Sequence, residues 1–434
     1  MLQRFGVSSI LAVMVVALAV APRAAPAEEG AQACCSGLEQ RVAELEAVAV
    51  RKGGDRLGLQ IYGQVNRAIL FWDDSFDRRS NVVDNTTSST RLGFIGEGRI
   101  GPELLLGYRV EFEFTDPASS QIHNPADVTH PAPPMAGAGL RQAYWYLSHS
   151  RLGTISLGRQ WAATGTLTLI NLGSQMNDAA LHHNNAFSIG LGVAGGIFSD
   201  LRWGQIAHQV DTLREPYLRY DTPAFLGFVL SAAVGEEVWD VALRHHADWQ
   251  GLRLASGIGY RDDAGHGMSE AKGALSLVHG ASGLYVSLAT GWRQDGRSSI
   301  IGQPPARFHY GQAGIVGRWL PFGPTTLYAD LGIYRNFSVG ELLRVDPHTG
   351  TLVIWGTLAD TEVLRWGYGL EQAFEETGVL LYAQVHRYGA TIVGFPCDPD
   401  PARFANNCGG DPANLVTLPT RPWAGFVAGV RVRF

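Results

Sequence analysis

The chain has 434 residues, a formal net charge of -6 and 46% hydrophobic residues, enough to bury a large core or to coat a wall that faces lipid. Lys52 and Lys272 are its only lysines, so positive charge rests on arginine, and no basic stripe points to nucleic acid as a partner. The 53 glycines argue against an all-helical fold and for strands, tight turns and bends.

Met1 to Ala27 carries Arg4, an apolar stretch from Val7 to Val20 and the small-residue ending Ala25-Pro26-Ala27, which predicts a secretory signal cut after Ala27. Ser8, Ser9, Pro22 and Arg23 interrupt the apolar run and leave it short of a span of ~20 residues. No later run approaches that length, so the mature chain is periplasmic, secreted or a membrane barrel. Leu38, Val42, Leu45 and Ala49, spaced four, three and four with charges between, predict a short coiled coil. So short a coil is marginal alone and gains stability where a larger body holds copies together. Arg51 to Gly54 reads as a linker.

From Leu57 onward the dominant period is two, that of strands. In Leu104 to Thr115, residues Leu106, Tyr108, Val110, Phe112 and Phe114 share one face, while Gly107, Arg109, Glu111 and Glu113 share the other. Strands are predicted near residues 58 to 72, 89 to 100, 104 to 115, 139 to 148, 153 to 161, 214 to 222, 225 to 235 and 239 to 249. The series continues near 251 to 261, 270 to 279, 283 to 293, 309 to 320, 325 to 335, 362 to 374, 378 to 391 and 422 to 434. Short turns such as Gly101-Pro102-Glu103, Pro321 to Pro324 and Glu375 to Gly378 alternate with long loops near 73 to 88, 116 to 138, 162 to 213, 294 to 308, 336 to 361 and 392 to 420. Such alternation suits a barrel with a periplasmic and an outer rim, and a β-sandwich has no reason to keep it. The predicted fold is therefore all-β: a 16-stranded antiparallel transmembrane β-barrel over 57–434, after a signal (1–27) and a periplasmic coiled-coil segment with linker (28–56).

Trp72, Trp145, Trp161, Trp203, Trp239, Trp249, Trp292, Trp319, Trp366 and Trp423 fall mostly near strand ends, where membrane-interface girdles sit. Near the end of the chain, Cys397 and Cys408 flank a loop rich in Pro, Asp, Asn and Gly and are expected to pair in an oxidising compartment, while Cys34 and Cys35 receive no assigned role. Neither Cys397 nor Cys408 has a second ligand at zinc-finger spacing. In the last strand Ala424, Phe426, Ala428, Val430, Val432 and Phe434 alternate with Gly425, Val427, Gly429, Arg431 and Arg433, which puts Arg431 and Arg433 with Arg109, Glu111 and Glu113 on the water side. That strand resembles the C-terminal strand of bacterial outer-membrane barrels, in which a terminal aromatic such as Phe434 belongs to the assembly signal.

The coil Leu38 to Glu46, Tyr62-Gly63-Gln64-Val65-Asn66-Arg67, Phe71-Trp72-Asp73-Asp74, Ser89-Thr90-Arg91-Leu92-Gly93-Phe94, Ser156-Leu157-Gly158-Arg159-Gln160 and Arg219-Tyr220-Asp221-Thr222-Pro223 resemble, in that order, the general porin superfamily. The likeness is strongest to alphaproteobacterial porins with a short N-terminal coil. It implies a homotrimer in the outer membrane of a Gram-negative bacterium, in contact with outer-membrane lipid and lipopolysaccharide and inserted by the barrel-assembly machinery, with the coil in the periplasm near peptidoglycan. It also implies that the loop at 162–213 folds into the lumen, and that Arg91, Arg159 and Arg219 on the wall face Asp178 on that loop to form a pore constriction. A transverse field of this kind orients dipolar solutes and separates ion paths, so the expected activity is passive diffusion of small hydrophilic solutes and ions, with no catalysis, cofactor or metal.

Two alternatives stay open. One is a substrate-selective channel for anions or sugars, the latter with an aromatic track that Tyr144 and Trp145 would begin; the other is an envelope-tethering barrel or an outer-membrane hydrolase, for which no local nucleophile signature exists. Gly190-Leu191-Gly192-Val193-Ala194-Gly195 satisfies a dinucleotide fingerprint but lacks the strand before and helix after that it requires, and is read as a close-packed loop. His245 and His246 would point to opposite faces of a strand, while His182 and His183 lie in a loop and are read as solvated.

Overall fold

The computed structural model describes residues 58–125, 137–176, 186, 188–193, 197–208, 214–296, 303–338, 341–345, 352–396 and 415–434. The signal, the coil, Cys34, Cys35, Asp178, His182, His183, Cys397 and Cys408 lie outside the described residues.

Sixteen antiparallel strands form the wall: β1 (Gly58–Asp73), β3 (Arg91–Arg99), β4 (Leu104–Phe114), β5 (Ala138–His149), β6 (Gly153–Trp161), β9 (Arg214–Asp221), β10 (Phe228–Gly235), β11 (Val238–Trp249), β12 (Leu252–Asp263), β13 (Met268–His279), β14 (Leu284–Asp295), β15 (Ala306–Leu320), β16 (Gly323–Arg335), β18 (Leu352–Phe374), β19 (Val379–Pro396) and β21 (Trp423–Arg433). Each pairs with the next, and β21 returns to β1 from Gln64↔Arg433 to Asp73↔Ala424. Closure follows from the solvent, because an unpaired backbone N–H or C=O in hydrocarbon costs several kcal/mol, on the order of a whole side chain's burial. At the seam Gly63 and Phe434 exchange backbone hydrogen bonds of 3.0 and 3.2 Å, and the Phe434 ring lies where a Cβ on Gly63 would stand, so only glycine admits the terminal aromatic. Among the described residues no helix is long and apolar enough to cross a membrane.

Alternation sets which side chain sees water. Along β1, Ile61, Val65, Ile69 and Phe71 are exposed on the outer face, while Gln64, Asn66, Ala68, Leu70 and Trp72 are buried inside. All sixteen predicted strands are present. Five further strands stand in the predicted loops: β2 (Arg78–Asp84), β7 (Gly190–Val193), β8 (Ile197–Arg202), β17 (Glu341–Val345) and β20 (Val416–Pro419). β2 pairs with the upper half of β1, above the nine-residue β3, which pairs with the lower half.

The wall is uneven. β3 and β6 have 9 residues each, whereas β18 and β19 have 23 and 18. Inside the tall side, the returning part of the 162–213 insert packs Ile189, Leu191, Trp203 and Ile206 onto inward residues including Tyr310, Tyr388 and Trp423. Trp203 meets Tyr388 edge-on at 5.7 Å, and Tyr388 meets Trp423 at 5.3 Å. Each such ring taken fully out of water contributes roughly 1.5–3 kcal/mol. Trp145, Trp239, Trp249, Trp292, Trp319 and Trp366 are exposed on the outside as a girdle requires, but Trp72, Trp203 and Trp423 are buried in this internal cluster. The girdle assignment of those three is corrected: an inserted segment gives inward indoles an apolar partner.

The glycine fingerprint at 190–195 begins in β7, which pairs with β8 as a hairpin, and a Cβ on Gly192 would collide with the Phe76 ring. The hairpin is stitched to neighbouring segments by Arg344↔Ser199 and by Arg421 N donating to Gly192 O at 2.8 Å.

Candidate functional site

The insert leaves β6 and is clasped at its root. Asp240 on β11 accepts from Ala163 N at 3.1 Å, Thr164 N at 2.7 Å and Thr164 Oγ1 at 2.6 Å. Arg244 donates to the carbonyls of Ala163 and Gly165, both at 2.7 Å, and Arg219 donates to those of Trp161 and Ala162 at 3.2 and 3.1 Å. Opposite charges thus meet opposite ends of the peptide dipoles, so a loop that turns inward still has its backbone groups paired.

Past the root the segment follows the inner wall. Leu172 N donates to Ser276 at 2.9 Å, Asn171 donates to Gln312 at 2.6 Å, Gln175 N donates to Glu371 at 2.8 Å, and Arg431 donates to Gln175 O at 3.0 Å. These partners sit on β13, β15, β18 and β21, so 171–176 hugs that side, and among the described residues the lumen stays open toward β3, β4, β5, β6 and β9.

That open side carries the charges. Arg141 pairs with Glu111 at 2.8 Å and Glu113 at 3.0 Å, and Glu111 also accepts from Tyr62 at 2.8 Å and Gln142 at 3.3 Å. Arg91 lies within 3.5 Å of Ser88 Oγ and within electrostatic reach of Arg141, Glu111, Glu113 and Arg433. Arg214 stacks over Trp161, 3.8 Å from the ring centroid, within reach of the same group. Neither Arg91 nor Arg214 has an ion-pair partner among the described residues. Both carboxylates share the single guanidinium of Arg141, and among the described residues this charged group, the eyelet, holds four arginines (Arg91, Arg141, Arg214 and Arg433) against two glutamates.

Arg91, Arg109, Glu111 and Glu113 share the inner face through the aligned registers of β3 and β4, and Arg431 is buried inside with Arg433 two residues on. Arg159 is corrected. It is exposed beside Ile155 and Leu157 on the outer face and donates to Leu140 O at 3.1 Å, while Ser156 and Gln160 point inward. Arg219 does point inward, but Asp221 holds it through hydrogen bonds of 2.7 to 3.1 Å and its remaining nitrogen grips the insert root, so it positions the loop rather than facing solutes at the eyelet. The expected partner Asp178 is outside the described residues.

Arg141 and Arg214 were not foreseen. A β-bulge between Glu111 and Phe112 in the β4–β5 register turns both Arg141 and Gln142 inward, which strict period two forbids. Arg214 begins its strand, where its side chain folds over Trp161. Of the imagined aromatic track, Tyr144 faces the lumen, whereas Trp145 is 44% exposed on the outside.

A family model described as Gram-negative porin matches residues 12–392. No curated protein matches the chain. Among solved structures, the anion-selective porin from Comamonas acidovorans is similar with a TM-score of 0.52 at 13% identity, covering 87% of this chain and 100% of that one. A loop-deletion mutant of OmpT, an outer membrane protein of Vibrio cholerae, gives a TM-score of 0.51 at 13% identity over 88% and 100% of the two chains. At these identities the likeness is one of fold.

Proposed function

The chain belongs to the Gram-negative porin family, and from that premise we propose that its outer-membrane channel passes small hydrophilic solutes and ions by passive diffusion, with a modest preference for anions set at the eyelet. The protein is a porin channel. The preference rests on one observation: Arg141 engages both Glu111 and Glu113, and Arg91 and Arg214 have no ion-pair partner among the described residues. In a narrow passage with low-dielectric walls a small excess of one sign raises the local concentration of counter-ions. Diffusion of this kind needs no catalytic group.

Reversal potentials in planar bilayers under a salt gradient test the reading. Anion preference that falls in Arg91→Gln and Arg214→Gln supports it; cation preference unaffected by either substitution removes it.

The functional unit we propose is a homotrimer joined through the short side of the wall. Support comes from the nine-residue strands β3 and β6, at the lower limit of a membrane span, and from the outward guanidinium of Arg159, which a neighbouring copy would shelter from lipid. Residue 58 lies at the short-turn rim with the carboxyl terminus, which supports a periplasmic place for the 28–56 coil after removal of the signal. Deleting that coil should lower the stability of the trimer and leave unit conductance intact, as read by gel mobility without heating and by bilayer recording.

A further inference from the structure

We propose that the wall below the eyelet carries a binding subsite for a free α-amino acid with an aromatic side chain, an inference that rests on the channel reading. A cavity of about 300 Å³ opens there against β3 to β9, lined among others by Glu97, Arg109, Tyr144 and Tyr146. That volume is at the small end of ligand pockets and suits a compact solute.

The charges in this cavity fall into two groups. Arg219 and Asp221 bind each other, and Ser231 donates to Asp221 at 2.5 Å, so that pair is spent. Arg109 and Glu97 are not spent. Arg109 lies 5.4 Å from the Tyr62 ring centroid, which steadies the guanidinium but leaves its N–H edge open, and it has no ion-pair partner among the described residues. Among the described residues Glu97 accepts only the Tyr146 hydroxyl, which fixes the carboxylate while leaving acceptor capacity toward the lumen.

Register supplies the spacing. Glu97 stands opposite Gly107 and Ile95 opposite Arg109, so Glu97 and Arg109 are diagonal neighbours on one face, with Cα atoms about 7–8 Å apart. The two unspent groups are thus an anion and a cation on neighbouring positions of one face, and a solute with a carboxylate and an ammonium group one carbon apart offers each of them a charge-assisted hydrogen bond. A solute with only one charge satisfies one end and leaves the other in water. Beside this pair Tyr144 and Tyr146 stand with ring centroids 6.1 Å apart and planes tilted by 45°, an apolar step for the body of the side chain. Tyr144 is the direct cross-strand partner of Arg109, and Tyr146 that of Gly107, so the ring step and the charged pair belong to adjacent rows of the same sheet face.

The test is single-channel recording of the full-length protein with L-phenylalanine, using 3-phenylpropionate, which lacks the ammonium group, and phenethylamine, which lacks the carboxylate, as comparators. Phenylalanine should interrupt the open current with a frequency that rises with its concentration, and each comparator should do so at least about tenfold more weakly. Arg109→Gln and Glu97→Gln should each reduce the phenylalanine effect by a similar factor, their open steps reporting folded channels. Equal interruption by all three solutes, or an effect that persists in both variants, overturns the subsite. Absence of open steps in the parent protein removes the channel reading and the subsite with it, whereas open steps without phenylalanine-specific interruption remove the subsite alone.

Discussion

Along β3 to β9 the inward face of the wall presents Glu97, Arg109, Glu113 and Tyr144 to open lumen, whereas along β15, β16, β18 and β19 it presents Tyr310, Tyr334, Arg365 and Tyr388 to a packed insert. The same alternation of side chains produces both. What differs is the partner of the inner face: the lumen on the short side, and on the tall side residues of the insert such as Ile189, Leu191, Trp203 and Ile206. The tall side therefore behaves like one layer of a soluble core, with lipid outside and protein inside, and it can hold large rings that would find no partner in an aqueous pore. The short side is free to carry charge because none of the described residues packs an apolar layer over it.

The tall side even encloses ions. Asp330 accepts from Arg365 at 2.7 Å and lies 3.2 Å from His386 Nε2, with both members of the Arg365–Asp330 pair fully buried. Breaking one partner of such a pair costs about 3–5 kcal/mol, because the other charge is left uncompensated. Asp330→Ala should therefore lower the thermal unfolding midpoint in detergent more than any other change considered, and the double substitution Asp330→Asn with Arg365→Met should recover part of the loss. If Asp330→Ala unfolds like the parent protein, the packed interior is not what stabilises this side.

Trp203→Ala removes the ring that joins the insert to Tyr388 and should cost about 3 kcal/mol through the cavity it leaves, read by the same melting curve. Asp240→Ala acts at the boundary of the two sides. It leaves the Ala163 and Thr164 donors without their acceptor, a loss of about 1–3 kcal/mol, and should be seen also as noisier open current as the insert root loosens. An unchanged current trace would mean that Arg219 and Arg244 hold the root without it.

The smallest stability effects fall on the short side and sharpen the comparison by function. Arg91→Gln should change the unfolding midpoint little, within about 0.5 kcal/mol, yet move the reversal potential toward cations. Arg159→Gln, on the outer face, should leave the reversal potential where it was. Equal shifts from both would mean that the face assigned to Arg159 is wrong.

The wall was legible in the sequence because its determinants are local. Strand period, glycine and proline at turns and the contrast of short and long connections each span a few residues, and they placed all sixteen strands. The eyelet was legible only in part. Arg141 depends on a bulge, which breaks the period that sequence reading relies on, and Arg159 was assigned the face that Ser156 and Gln160 occupy. By itself the sequence determined a closed antiparallel wall, since lipid outside and water inside impose period two and full backbone pairing on any such chain. Only the tertiary structure decided which stretch of that wall faces water, which faces the insert and which arginines grip the loop rather than the lumen, because those outcomes depend on contacts between residues tens to hundreds of positions apart, such as Gln175 with Arg431.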